Sequence, residues 1–170
     1  PIVYFGGGVA ASKAGPELRQ LLETADIPAT YTLMAAGILG YDNKRNLGLI
    51  GMHGSIAANR AVDRADLIIA LGARFSDRVA LNPEKFGKKA HKIQVDIDTS
   101  EINKNVLVDV GISADIKEFL TALLPLIKKN DHADWVSQST EWKKKTGDVK
   151  SQDAELHPSE IIQSICDMTD

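Results

Sequence analysis

Apolar positions along the chain fall into short runs and one-sided helical patterns that alternate. Residues 2–5, IVYF, form a run of strand length closed by Gly6, Gly7 and Gly8. Leu18, Leu21 and Leu22 then recur at helical spacing through GPELRQLLETAD, residues 15–26. Pro28 introduces the β-rich run ATYTL. Ser55 stands where an N-cap belongs, ahead of a helix whose Ile56, Ala58, Ala61, Val62 and Ala65 share one side. DLIIALG, residues 66–72, is apolar almost throughout, as suits a strand covered on both faces, and HKIQVDID, 91–98, is another bounded run. The pattern predicts a helix over 83–90 and a strand over 106–113, VLVDVGIS. It also predicts a helix over 115–129, with Ile116, Phe119, Leu120, Leu123, Leu124 and Ile127 inward and Pro125 as a kink or stop. Strands alternating with helices predict an α/β fold, a doubly wound parallel sheet of about six strands with right-handed crossovers.

From Asn130 the chain turns polar and strandless, and holds both tryptophans, Trp135 and Trp142, at a spacing that shares a helix face. The expected organisation is a core domain over 1–130, a linker over 131–157 with a short helix docking on another surface, and a further helix opening at Pro158 and Ser159 over 158–170. The opening on a core strand without an initiator Met reads as a fragment. With 170 residues, 44% hydrophobic, the chain suits one substantial core. Twenty basic against 23 acidic residues, net charge -3, give no basic field for nucleic acid or an anionic membrane. No apolar run has bilayer length, and the start lacks the regions of a signal peptide. The single cysteine, Cys166, excludes an internal disulfide and suits a reducing compartment. A soluble, cytoplasmic protein with a small-molecule site is the expectation.

The unusual residues cluster where strands give way to helices, and in an open parallel sheet those turns line the ligand crevice. GGGVAA, residues 6–11, satisfies G-x-G-x-x-A, which lets backbone N–H groups approach a phosphate; a turn serving geometry alone is the other reading. The acid that grips a ribose in NAD sites is missing, because the second strand ends in Thr30, Tyr31, Thr32 and Leu33. IGMHGS, 50–55, sets Met52 and His53 just ahead of a helix N-terminus. His53 there meets a ligand carbonyl or ring nitrogen, or caps the turn; Met52 suits a core as well as a cofactor. GARFSDRV, 72–79, follows a buried strand with Arg74 and Arg78, residues that grip phosphates bidentately. Asp77 between them orients Arg78 or is a solvated loop acid. Asp96, Asp98 and Asp115 suit ribose hydroxyls or an adenine amino group, with Ser113 and Asp115 equally able to be plain N-caps. Together these turns predict a nucleotide site.

The combination LIGMHGS, AANRAVDRADLIIALGARFSDRV and KIQVDIDTSEINKN resembles the central domain of the acetolactate synthase family, also called acetohydroxyacid synthase, from residue 1 to about 129. The resemblance implies a Rossmann-like domain set between pyrimidine-binding and diphosphate-binding domains of a thiamine diphosphate enzyme, with Pro158 opening the third domain. It implies joining of two pyruvates, or of pyruvate and 2-oxobutyrate, with loss of CO2, in branched-chain amino-acid biosynthesis. FAD then lies along this domain without redox turnover, while thiamine diphosphate and Mg2+ belong to the flanking domains. Carried over by position, Gly6, Gly7 and Gly8 fall near the pyrophosphate, flanked by Thr32 and Leu33. Ile50, Gly51, Met52 and His53 fall beside the flavin end, and Gly72, Ala73, Arg74, Arg78 and Val79 along the dinucleotide. Asp96, Ile97, Asp115 and Ile116 fall toward the adenosine. The family commonly reads GARFDDR, and Ser76 replaces the first acid here. The family's catalytic glutamate and its GDG and NN metal motif belong to the flanking domains, so no catalytic or metal-binding residue is expected in this chain, and the fragment alone is expected to be inactive. Dimers or tetramers and a separate regulatory subunit are also implied. Two other readings stay open: a thiamine diphosphate enzyme whose central domain binds ADP or nothing, and a non-enzymatic nucleotide-binding module.

Overall fold

A computed structural model describes residues 1–146 and 158–169. Its sheet has six parallel strands: β1 (Ile2–Phe5), β2 (Ala29–Tyr31), β3 (Asn46–Leu49), β4 (Leu67–Leu71), β5 (His91–Asp96) and β6 (Val110–Ser113). Their order is β3-β2-β1-β4-β5-β6. The chain builds outward from β1 through β2 and β3, then returns to lay β4 on the other side of β1, with Phe5 in register with both Tyr31 and Leu71. That reversal between β1 and β4 is where such sheets open a crevice at their carboxyl edge.

Among the described residues six helices accompany the strands: α1 (Gly7–Ala11), α2 (Gly15–Ala25), α3 (Ile56–Arg64), α4 (Ile116–Leu123), α5 (Ala133–Thr146) and α6 (Pro158–Met168). Side chains alternate across a strand, so Val3 and Phe5 meet Leu18, Leu21 and Leu22 of α2 and Ile116 and Leu120 of α4. Ile2 and Tyr4 face the other way, onto Ala57, Ala58, Ala61 and Val62 of α3. Both faces are covered, which is the doubly wound arrangement. Among the described residues, no helix is long and apolar enough to cross a membrane.

The differences from the sequence reading have local causes. β3 has no counterpart among the strands the sequence predicts; it is an edge strand carrying Asn46 and Gly48, and its register against β2 shifts between Ala29 and Tyr31. Ile56 is exposed and Ala57 takes its place in the core, because the Ser55 hydroxyl accepts the Ala58 N–H at 2.9 Å and sets the helix phase. Residues 83–90 form turns, not a helix: the Lys85 and Phe86 amides both reach the Asn82 carbonyl, but Gly87 is left-handed (φ 49°) and lies against the Ile68 side chain. The strand expected over 106–113 is ordered as strand only from Val110, since Asn103, itself left-handed, accepts the Val108 N–H at 2.8 Å and holds a loop. α4 stops at Leu123 and passes into a single 3-10 turn, Leu124–Leu126, around Pro125.

The largest difference is α5. The polar composition after Asn130 predicts a short helix docked on another surface, whereas α5 has 14 residues and lies on α3 and on β3, the edge strand of this sheet. Trp142 is buried there under Arg60 and Arg64, whose guanidinium carbons sit 4.8 and 5.7 Å from its ring centroid. Trp135 meets Trp142 edge-on at 5.8 Å and donates its Nε1–H to the Pro1 carbonyl at 2.7 Å. Residues 147–157 of the expected linker lie outside the described residues, and a helix does open at Pro158.

Candidate functional site

The turns that leave the strands are tied edge to edge in one row. The Ile50 amide bonds the Tyr31 carbonyl, Thr32 bonds Phe5, Gly6 bonds Leu71, Gly72 bonds Val95, and Ala114 bonds Asp96, all at 2.8–3.1 Å. Each turn therefore begins at the same height on the carboxyl edge, and every sequence-predicted site residue falls in that row. Five inter-strand spacings, about 24 Å, separate its ends, so Ile50 to His53 and Asp115 to Ile116 stand at opposite ends of the row.

At the switch point two glycine turns touch backbone to backbone. The Gly8 amide donates to the Gly72 carbonyl at 3.0 Å. A β-carbon on Gly8 would stand 2.6 Å from Gly72 Cα, one on Gly72 would stand 2.5 Å from Gly8 Cα, and Gly72 is left-handed (φ 54°). Glycine at 6, 8 and 72 is therefore demanded by packing, and the Gly8 N–H is taken. Gly7 differs: a β-carbon there meets only the Met34 β-carbon, at 3.2 Å. Of the three glycines, Gly7 is the one whose backbone is free of that interlock.

The second turn closes on the third. Gly51 (φ 104°) sits against the Arg78 carbonyl, which accepts the Met52 N–H at 2.9 Å. The third turn rests on an aromatic trio of Tyr4, Phe75 and Phe86, with ring centroids 5.4–6.3 Å apart. Tyr4 donates its hydroxyl to the Arg74 carbonyl at 2.7 Å, and Asn105 donates to the Phe75 carbonyl at 2.9 Å. Burial pushes the Tyr4 hydroxyl well above its ordinary pKa, against the opposing pull of Arg74, so it stays a donor. Pinned in this way, the turn buries Phe75 and leaves Arg74 and Arg78 exposed. Neither arginine has an acidic partner among the described residues.

Side-chain roles divide sharply. Ile50, Ala73 and Ile116 are buried and Val79 packs on the core, so only their backbones can meet a ligand. Asp77 accepts the Arg78 N–H at 2.9 Å without pairing with its guanidinium. Asp115 caps α4 through the Lys117 and Glu118 amides, and Asp98 caps the 3-10 turn Thr99–Glu101 through Ser100, whose bonds hold the Asp98 carboxyl below its ordinary pKa. Asp96, expected to face a ligand, is instead buried, and it accepts the Asp98 amide at 3.0 Å. Leu33, Met34, Met52 and Ile97 stand 74%, 76%, 56% and 71% exposed, a discontinuous apolar lining on an edge whose charged groups are the two arginines and these carboxylates. Met34, Tyr4 and Asn105 join the site without a motif of their own in the sequence; only the exposed Met34, next to Leu33, leaves a local signal.

No group of three or more His, Cys, Asp or Glu among the described residues could hold a metal ion. A groove of about 730 Å³ lies elsewhere, beside Arg64, Lys85, Lys88, Lys89 and Trp135 at the amino ends of the strands. Concavity alone does not locate the site, because that edge lacks the strand-to-helix turns and their converging N–H groups.

The profile of the family described as "Thiamine pyrophosphate enzyme, central domain" matches residues 1–123. Among curated proteins, the chain is similar to "Acetolactate synthase 1, chloroplastic" of Zea mays, 40% identical over 99% of this chain and 27% of that protein. It is also similar to the acetolactate synthase large subunits of Cyanidium caldarium, 41% identical over 97% of this chain and 30% of that protein, and of Lactococcus lactis, 39% identical over 99% and 30%. The chain thus spans under a third of the length of these relatives. Because the family match takes in every strand of the sheet and ends with α4, the chain belongs to the thiamine pyrophosphate enzyme family, with residues 1–123 as its central domain.

Proposed function

We propose that this domain holds FAD along its carboxyl edge within an acetolactate synthase. The observation that carries the reading is the pair Arg74 and Arg78, exposed and without an acidic partner among the described residues, beside the interlocked glycine turns at the switch point. Two guanidinium groups without an acidic partner among the described residues suit a pyrophosphate. The exposed Leu33, Met34, Met52 and Ile97 give the ring systems an apolar surface, while Asp96 at the end of β5 is buried with one oxygen on the Asp98 amide and would meet a ribose only through its other oxygen. Gly7 offers backbone near the pyrophosphate, and His53 offers a ring nitrogen at the flavin end. Ser76 keeps a hydroxyl where the family has a carboxylate, so its contact to the ligand carries no charge.

The names of the similar proteins support the rest of the reading. In it, the full-length protein joins two pyruvates, or pyruvate and 2-oxobutyrate, releasing one CO2, with thiamine diphosphate and Mg2+ supplied by flanking domains. FAD has a binding role here and its redox chemistry is not used. The full-length protein acts in the cytoplasm as a dimer or tetramer, with a regulatory subunit as a further partner.

The test is to purify the full-length protein, identify its released nucleotide and supply thiamine diphosphate, Mg2+ and pyruvate. Bound FAD and acetolactate formation are expected. ADP in place of FAD would overturn the flavin half of the proposal, and absence of carboligation with cofactors restored would overturn the enzymatic half.

A further inference from the structure

We infer that Asn59 is a positioning residue: it clamps the turn carrying Met52 and His53 and, through Gly51, fixes the backbone from which Arg78 projects. Its side chain gives both hydrogen-bonding functions to one residue. Asn59 Oδ1 accepts the Gly51 N–H at 3.0 Å, and Asn59 Nδ2 donates to the Gly51 carbonyl at 2.9 Å. Gly51 is in turn the point where two turns meet, since its α-carbon faces the Arg78 carbonyl and the next amide, Met52, bonds that carbonyl at 2.9 Å. A chain of contacts therefore runs from α3 through Gly51 and Met52 to Arg78.

Helix geometry does not explain an asparagine at this position. Ser55 already caps α3, and asparagine inside a helix costs propensity relative to alanine. The core does not explain it either, because Asn59 lies on the exposed side of a helix that buries Ala57, Ala58, Ala61 and Val62. The pair of bonds to Gly51 is what the residue does. Gly51 (φ 104°) has no side chain to hold it; its carbonyl also accepts the Gly54 N–H at 2.9 Å, but Asn59 is the side chain that grips both its N–H and its carbonyl at the junction of two loops.

The ligand consequence rests on the FAD reading given above: the clamped turn would face the flavin end, while adenosine would lie beyond β4. Loosening the clamp should weaken FAD and spare ADP, a split that general destabilisation does not produce. In the full-length protein, Asn59→Asp keeps the acceptor and sets an oxygen against the Gly51 carbonyl; Asn59→Ala removes both bonds and raises helix propensity. Each is expected to raise the Kd for FAD about tenfold and to leave that for ADP within about twofold. Amide exchange should quicken at Met52 in both variants and stay unchanged at Ala61 and Val62 in α3. Equal loss of FAD and ADP affinity, or unchanged FAD affinity, overturns the positioning role. If the wild-type protein binds neither nucleotide, the FAD reading fails by itself. The clamp is then judged by exchange alone, and unaltered protection at Met52 in Asn59→Asp overturns it.

Discussion

Gly8→Ala places one methyl group at the contact between the first and third turns. Position 8 lies inside α1, where alanine in place of glycine would ordinarily add up to about 1 kcal/mol. The structure reverses that sign. The new β-carbon would stand 2.6 Å from Gly72 Cα and 3.2 Å from the Gly72 carbonyl oxygen, and both are backbone atoms that no rotamer change can move. Relief requires β1 and β4 to separate at their carboxyl ends, where the Gly6 amide bonds Leu71 and the Gly8 amide bonds Gly72. Overpacking of this kind costs about 1–3 kcal/mol, and a strained backbone hydrogen bond adds about 1 kcal/mol. The net expectation is a loss of about 2–3 kcal/mol, roughly 5–10 °C in Tm for a domain of this size. Urea denaturation followed by circular dichroism measures it as a lower midpoint at unchanged slope. Gly7→Ala is the paired control: its β-carbon meets only Met34, so stability should change little while nucleotide affinity falls. A Gly8→Ala protein as stable as the wild type would refute the interlock and return Gly8 to a ligand-facing role.

Tyr4→Phe keeps the ring among Phe75 and Phe86 and removes the donor to the Arg74 carbonyl; about 1–2 kcal/mol of stability should go, measured by the same denaturation. Arg78→Ala in the full-length protein should raise the Kd for FAD about tenfold, with a smaller effect at high salt; an unchanged Kd would deny the arginine its phosphate. Asp26 ties the start of β3 and the entry to α5 together, through Arg45 at 2.7 Å and the His132 amide at 3.2 Å. Burial works against its ionised form, but those bonds and the Arg45 charge prevail and lower its pKa below the ordinary value. Its contribution is therefore complete above about pH 4, the unfolded value, and is lost as pH falls through the folded one. Asp26→Asn should lower Tm at pH 7 and flatten the decline below pH 4, and an acid limb identical to the wild type would contradict this.

How much of this was legible in the sequence depended on whether a feature leaves a local trace. β1 and β4 are covered on both faces and read as unbroken apolar runs, while β3 hides behind Asn46 and Gly48 at an edge. α5 reads as a polar linker because its docking rests on two tryptophans and arginines from another helix, not on a continuous apolar stripe. The turns of the site were visible as glycines and arginines following strands, since those residue types serve the turns themselves. The side chains that hold the turns were not visible. Tyr4 reaches Arg74 across 70 positions, and Asn59 reaches Gly51 across eight. Such contacts have no periodicity, and a buried strand tyrosine or a surface helix asparagine looks ordinary in isolation. The glycine pattern was legible, but its reason was divided: Gly6 and Gly8 answer to Gly72, and Gly7 to open space.

The most direct test of the central claim is an amide-exchange footprint of the full-length protein with and without FAD. Protection is expected at Gly7, at Met52 and His53, and at Arg74 to Arg78, along the carboxyl edge alone. Protection at Lys85 to Lys92, on the opposite edge, with the glycine turns unchanged, would contradict the account.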